Sequence, residues 1–136
     1  MELGPLFTVS SIYLALVGLG TLISPTTMMS GAVNSTSLML INNLRGIAGV
    51  YFGASIIDWA ARNSEASSVR DAIILGNTIG FAFATVFGIF SIMQGLSMFQ
   101  WIFVAIDALL ANGFFIVGIS NMSTLPDQPQ QPTKKM

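Results

Sequence analysis

Cysteine and histidine are both missing from the 136 residues of this chain. Without cysteine there is no disulfide, no thiolate metal site and no thiol nucleophile. Without histidine the commonest general base and metal ligand is gone as well. Charge is nearly as scarce. Lys, Arg, Asp and Glu make up 8% of the chain, against about 25% in a soluble domain. The net charge of −1 offers no basic surface to nucleic acid. A soluble domain of this length needs a polar surface, and this composition does not supply one. With nucleophiles, bases and metal ligands so thinly provided, no enzyme, no metal site and no cofactor is expected.

What the chain does have is apolar length. It is 53% hydrophobic with a mean hydropathy of +0.75. A bilayer-spanning helix needs about 20 apolar residues, with a range of ~17–25. Four segments meet that need, over about 6–23, 38–61, 72–93 and 98–119. Lipid cannot satisfy backbone polar groups, so such segments are helices. The expected fold is an all-α, integral-membrane, antiparallel bundle of four transmembrane helices over 1–119. A polar tail over 120–136, with three Pro and three Gln, is expected to be disordered. The flank Met1-Glu2-Leu3-Gly4-Pro5 has no positive n-region, so the first run reads as a retained helix and not as a signal peptide.

The connections differ in character. Residues 24–37 form an uncharged polar loop that starts at Ser24-Pro25, and 62–71 hold most of the loop charge. Residues 94–97 make a tight turn, which places the third and fourth spans side by side and antiparallel. Arg62, Arg70, Lys134 and Lys135 all fall on one side of a four-span topology, and the opposite loops hold no basic residue. Both termini are therefore expected in the cytoplasm, in a multi-pass protein of the bacterial inner membrane.

Two charges stand inside the apolar segments. Arg45 lies about seven residues into the second span and Asp107 about nine into the fourth, counted from the same side. At about 1.5 Å per residue their depths differ by about 3–5 Å. Charges at such depth normally face the bundle interior and pair. The expectation is an Arg45–Asp107 ion pair, with Asn42 and Asn43 as further partners. Two roles are open to it: a salt bridge that sets helix register, or a polar pocket for a lipid head group or another small ligand. Asn42, Arg45, Gly46, Gly49 and Gly53 share one helical face. Gly49 and Gly53 form one small-residue motif, and Gly76, Gly80, Ala84 and Gly88 form another. Small residues let helix backbones approach closely in lipid, so both motifs are expected to pack helices together, chiefly the second against the third. Asp58 and Arg62, four apart, read as an exposed interfacial pair. Trp59 and Trp101 read as residues of the aromatic belts.

The segment Asn42-Asn43-Leu44-Arg45-Gly46 with Gly49, the proline turn Ile23-Ser24-Pro25, the short charged loop, the glycine-bearing third helix and Asp107 in the fourth resemble a family of small four-helix membrane proteins known as domain of unknown function 4345. The resemblance covers roughly residues 8–119 and implies the fold and topology, with no activity attached. The chain departs from the family pattern in having Asn43 where an acidic residue is common and in lacking an arginine in the third helix.

Three functions follow as expectations. The leading one is a non-enzymatic accessory or scaffold subunit, packed against a larger membrane complex or another copy of itself and surrounded by membrane lipids. The second is a binder of lipid or a hydrophobic ligand that uses an Arg45/Asp107 pocket. The third is a small proton-coupled transporter, which requires Asp107 not to be neutralised by Arg45.

Overall fold

The computed structural model describes residues 3–28, 38–93, 100–118 and 120–121. The polar tail from 122 onward and the 94–97 turn lie outside the described residues. The elements are α1 (Leu3–Ile23), the single turn α2 (Pro25–Met28), α3 (Leu38–Ala61), α4 (Ser68–Met93) and α5 (Gln100–Gly113). The last continues as a π-helical stretch, Phe114–Gly118.

Local chemistry sets these boundaries. The Ser24 amide donates to the Gly20 carbonyl at 2.9 Å and closes α1. The Ser24 carbonyl accepts from Thr27 and Met28 at 3.1 Å and opens α2, with Pro25 in the first helical position where its missing N–H costs nothing. The third long helix starts at Ser68, before the expected residue 72, because Ser67 caps it. The Ser67 Oγ accepts the Arg70 amide at 3.3 Å and its carbonyl accepts the Asp71 amide at 2.9 Å. A side-chain oxygen at this position satisfies an amide that has no partner within the helix.

Among the described residues, three helices are long and apolar enough to cross a membrane: Leu3–Ile23, Ser68–Met93 and Gln100–Gly118. The expected second span corrects to a weaker case. At 24 residues α3 has the length, but Asn42, Asn43, Arg45 and Asp58 dilute its apolar content. Apolar side chains cover much of the outside, although α3 also exposes Asn42, Asn43 and Arg45. Val9, Leu16, Ile56, Phe83 and Leu109 are exposed, while Ser10, Ser55 and Asp58 are buried. In a water-soluble domain Asp is almost never fully buried unless paired.

The helices associate as two pairs, α1 with α3 and α4 with α5. Along the first pair, a Cβ at Gly4 would stand 3.1 Å from the Arg62 carbonyl, and one at Gly18 would stand 3.2 Å from the Ala48 carbonyl. Between them Ser11 and Ser55 clasp: each hydroxyl donates to the other's backbone carbonyl, at 2.8 and 2.9 Å. Along the second pair, Gly88 meets Val104 and Gly118 meets Ile74.

The core sits toward the end of the bundle that carries the 62–71 loop. Phe7 and Phe114 are fully buried and meet edge to face with centroids 5.3 Å apart. Phe81 stacks on Phe114 at 6.1 Å, and Tyr13 tilts against Phe81 at 6.2 Å. Leu3, Ala61, Ile74, Leu110 and Val117 fill in around these rings.

The glycine motifs do not do what their spacing suggests. A Cβ at Gly46, Gly49, Gly53, Gly76 or Gly80 would meet no atom within 4 Å. The helices bearing them, α3 and α4, touch only sparingly. Close approach occurs instead at Gly18 and Gly118. Gly88 packs against α5, not α3.

Candidate functional site

Because α3 and α4 stay apart, the half of the bundle away from the aromatic core encloses a cavity of about 570 Å³. Its walls come from the second half of α1, the middle of α3, most of α4 and the first half of α5. Gln100 reaches across one end and donates through Nε2 to the Met28 carbonyl at 3.2 Å. The cavity opens sideways between α3 and α4, where Val50, Gly76 and Gly80 both line it and are exposed.

The lining is apolar with a few polar groups: Tyr13, Thr21, Tyr51, Asn77, Ser91, Gln100 and Asp107. Asp107 is the one acidic or basic residue among the described lining residues. It is 9% exposed, and the Tyr13 hydroxyl donates to its Oδ1 at 2.8 Å. That bond ties α5 to α1. The second oxygen, Oδ2, has no hydrogen-bond partner among the described residues. A carboxylate offers about four acceptor positions, so acceptor capacity remains on the cavity side. The rings of Phe81, Phe87, Phe103 and Tyr51 stand around the same space.

The expected Arg45–Asp107 ion pair is not formed. Arg45 is exposed and does not line the cavity. Asn42 and Asn43 are exposed as well, so neither joins Asp107. Counting residues along two helices gives their relative depth but not the rotation of each helix, and rotation turns Arg45 outward. Its long side chain is free to carry its charge toward an interface. Of the small-residue positions, Gly76, Gly80, Ala84 and Gly88 line the cavity, and Gly46, Gly49 and Gly53 are exposed.

A second carboxylate is more deeply set than the first. Asp58 is fully buried, not at the surface with Arg62. Ser10 on α1 donates a short hydrogen bond to its Oδ2, and Asn77 on α4 donates to Oδ1 at 2.7 Å. Asp58 thus joins α1, α3 and α4, and Asn77 sits between it and the cavity. Arg62 instead lies over the Trp59 ring, 3.4 Å from its centroid.

Ser10, Ser11, Tyr13 and Asn77 went unnoticed in the sequence. The available signal was their polarity inside otherwise apolar runs, since hydroxyl and amide side chains hydrogen-bond across helices in membranes. Nothing in the sequence says which polar residues meet. No family model, curated protein or solved structure matches the chain.

Proposed function

We propose that this chain is a small non-enzymatic integral membrane protein that binds a lipophilic cation between its helices. The observation that carries this reading is a cavity of about 570 Å³ in which Asp107 is the one acidic or basic residue among the described lining residues, with no basic partner among the described residues. Ligand sites of roughly 300–1,000 Å³ are mostly apolar with a few placed polar groups. Aromatic walls add attraction for a cation through their ring faces. A lateral opening between α3 and α4 admits a ligand that partitions into lipid. Within a bilayer, ionisable residues that face a cavity mark ligand and ion pathways.

The frame for this site is an antiparallel four-span bundle in a bacterial inner membrane, with both termini cytoplasmic. The ordered pairing Gly4–Arg62, Ser11–Ser55 and Gly18–Ala48 supports opposite directions for α1 and α3. Ile74–Gly118 and Gly88–Val104 support the same for α4 and α5. Ser55 and Asp58 in the second half of α3 are buried and bonded to neighbouring helices, which supports a bilayer setting for that half, while Asn42, Asn43 and Arg45 in the first half are exposed.

The test is binding of tetraphenylphosphonium to the purified protein in detergent. Wild type is expected to bind it. Asp107→Asn keeps the shape and an acceptor for Tyr13 but removes the charge, and is expected to weaken binding at least about tenfold, a change of about 1.4 kcal/mol. Equal binding by both proteins excludes Asp107 as the anchor and rejects the reading.

A second reading, an accessory subunit or homo-oligomer, is favoured by the exposed face of α3 at Gly46, Gly49 and Gly53. A Cβ there meets nothing within 4 Å, so another helix has room to seat. A stoichiometric partner retained by wild type and lost in Gly49→Leu supports it.

A further inference from the structure

A second pocket lies at the opposite end of the bundle, where α1 begins, α3 ends and the 62–71 loop crosses. It measures about 550 Å³ and is bounded by Gly4, Arg62, Asn63, Ser64, Arg70 and Asn121, among others. Unlike the cavity, its charges are both positive, and no acidic residue lines it.

Both arginines are held in place by contacts that leave part of each guanidinium unused. Arg62 rests on the Trp59 ring, a contact that fixes the plane of the group without occupying its N–H donors. Arg70 donates from Nη1 to the Ser64 carbonyl at 3.2 Å and from Nη2 to the Asn121 carbonyl at 3.0 Å. Arg62 donates no side-chain hydrogen bond among the described residues, and its Nε and Nη2 are not among the fully buried atoms. Each Nη of Arg70 carries a second hydrogen beyond the one it gives to a carbonyl. Donors on two cations lining one pocket, with no acidic residue among its described lining residues, can be met together by a single multivalent acceptor of opposite charge. Arginine forks match phosphate oxygens in geometry and form strong charge-assisted bonds with them.

We propose that this pocket binds a phosphate group through Arg62 and Arg70. Its placement favours the phosphate of a phospholipid head group as the source. It lies at the ends of α1 and α3, one turn beyond Trp59, an aromatic of the kind found at head-group level. Basic pockets between membrane helices on the cytoplasmic side bind anionic head groups, and the loop bearing Arg62 and Arg70 is the one whose charge marks that side. This inference rests on the membrane reading but not on the cavity or Asp107.

The experiment compares purified wild type, Arg62→Gln and Arg70→Gln by native mass spectrometry and by thermal melting in detergent. The added probes are phosphatidylglycerol, a galactosyl diacylglycerol with the same acyl chains, and inorganic phosphate. Wild type is expected to retain phosphatidylglycerol over the galactolipid and to melt higher in its presence. Each variant is expected to hold it roughly tenfold less tightly, as for loss of a charge-assisted hydrogen bond. Displacement of phosphatidylglycerol by millimolar phosphate keeps the site and names free phosphate as a competing source. Equal retention of the two lipids by wild type, with no effect of phosphate, overturns the proposal even if neither variant folds. So does full phosphatidylglycerol binding by well-folded variants.

Discussion

At the scale of single residues, two carboxylates inside this bundle accept hydrogen bonds from hydroxyl or amide donors and, among the described residues, none from a cation. Asp107 takes Tyr13, and Asp58 takes Ser10 and Asn77. Arg45 is exposed, so Arg45→Gln is expected to change stability by no more than about 0.5 kcal/mol, as surface substitutions do. Asp107→Leu leaves the Tyr13 hydroxyl without its acceptor and is expected to cost about 1–3 kcal/mol. The two effects are expected to add in the double variant, because the residues share no partner. Unfolding in mixed detergent checks this, and a coupling above about 1 kcal/mol would restore the ion pair. Asp58 sets a sharper test. Asp58→Asn keeps an acceptor for Ser10, whereas Asp58→Leu strands both donors. The leucine variant is expected to be the less stable by roughly 1–3 kcal/mol, and equal stability of the two would remove Asp58 from any holding role.

At the scale of elements, the glycines divide by what stands opposite them. A Cβ at Gly118 would collide with Cγ2 of Ile74, a fully buried, branched side chain with little room to yield. Gly118→Ala is therefore expected to cost about 1–3 kcal/mol through overpacking. At Gly80 nothing stands within 4 Å, and the residue lies within α4. Gly80→Ala is expected to be neutral or to stabilise by up to about 1 kcal/mol, the difference in helix propensity. Melting temperatures of the two variants check the pair, and a reversed order would place α4 against a neighbour through its glycine face. The Ser11–Ser55 clasp belongs to this scale as well. Interhelical hydrogen bonds in a membrane protein average about 0.6 kcal/mol, so losing the clasp is expected to loosen the α1–α3 pair without dissolving it.

At the scale of the whole molecule, two tight helix pairs meet at one end through the Phe7, Phe81 and Phe114 cluster and part around a cavity at the other. Since the chain has no cysteine, introduced pairs report on this arrangement directly. Ser11→Cys with Ser55→Cys is expected to cross-link within one chain in membranes under mild oxidation. Gly49→Cys with Gly80→Cys is expected not to, because neither glycine has another helix beside it. Efficient intramolecular cross-linking of the second pair would mean that α3 and α4 close the cavity. A cross-linked dimer through Gly49→Cys alone would instead favour a second copy on the open face of α3.

Composition and hydrophobic length determined a great deal by themselves. Long apolar runs in a chain with few charges can satisfy their backbone only as helices, and the Ser24-Pro25 break and the charged 62–71 loop marked where three of those helices end or begin. Arg45 and Asp107 were visible as exceptional residues for the same reason, since a charge in an apolar run stands out wherever it points. Their partners were not visible. Depth along a helix follows from counting residues, but the direction in which a side chain leaves the axis depends on how each helix rotates to pack. That rotation sends Asp107 to Tyr13 and Arg45 outward. The glycine spacings were equally silent on what faces them, because a gap for a neighbouring helix and a wall of an open cavity read identically in one dimension. Only packing in three dimensions decided between them: the aromatic cluster draws the helices together at one end, and the parting of α3 from α4 leaves the other end open around a lone carboxylate.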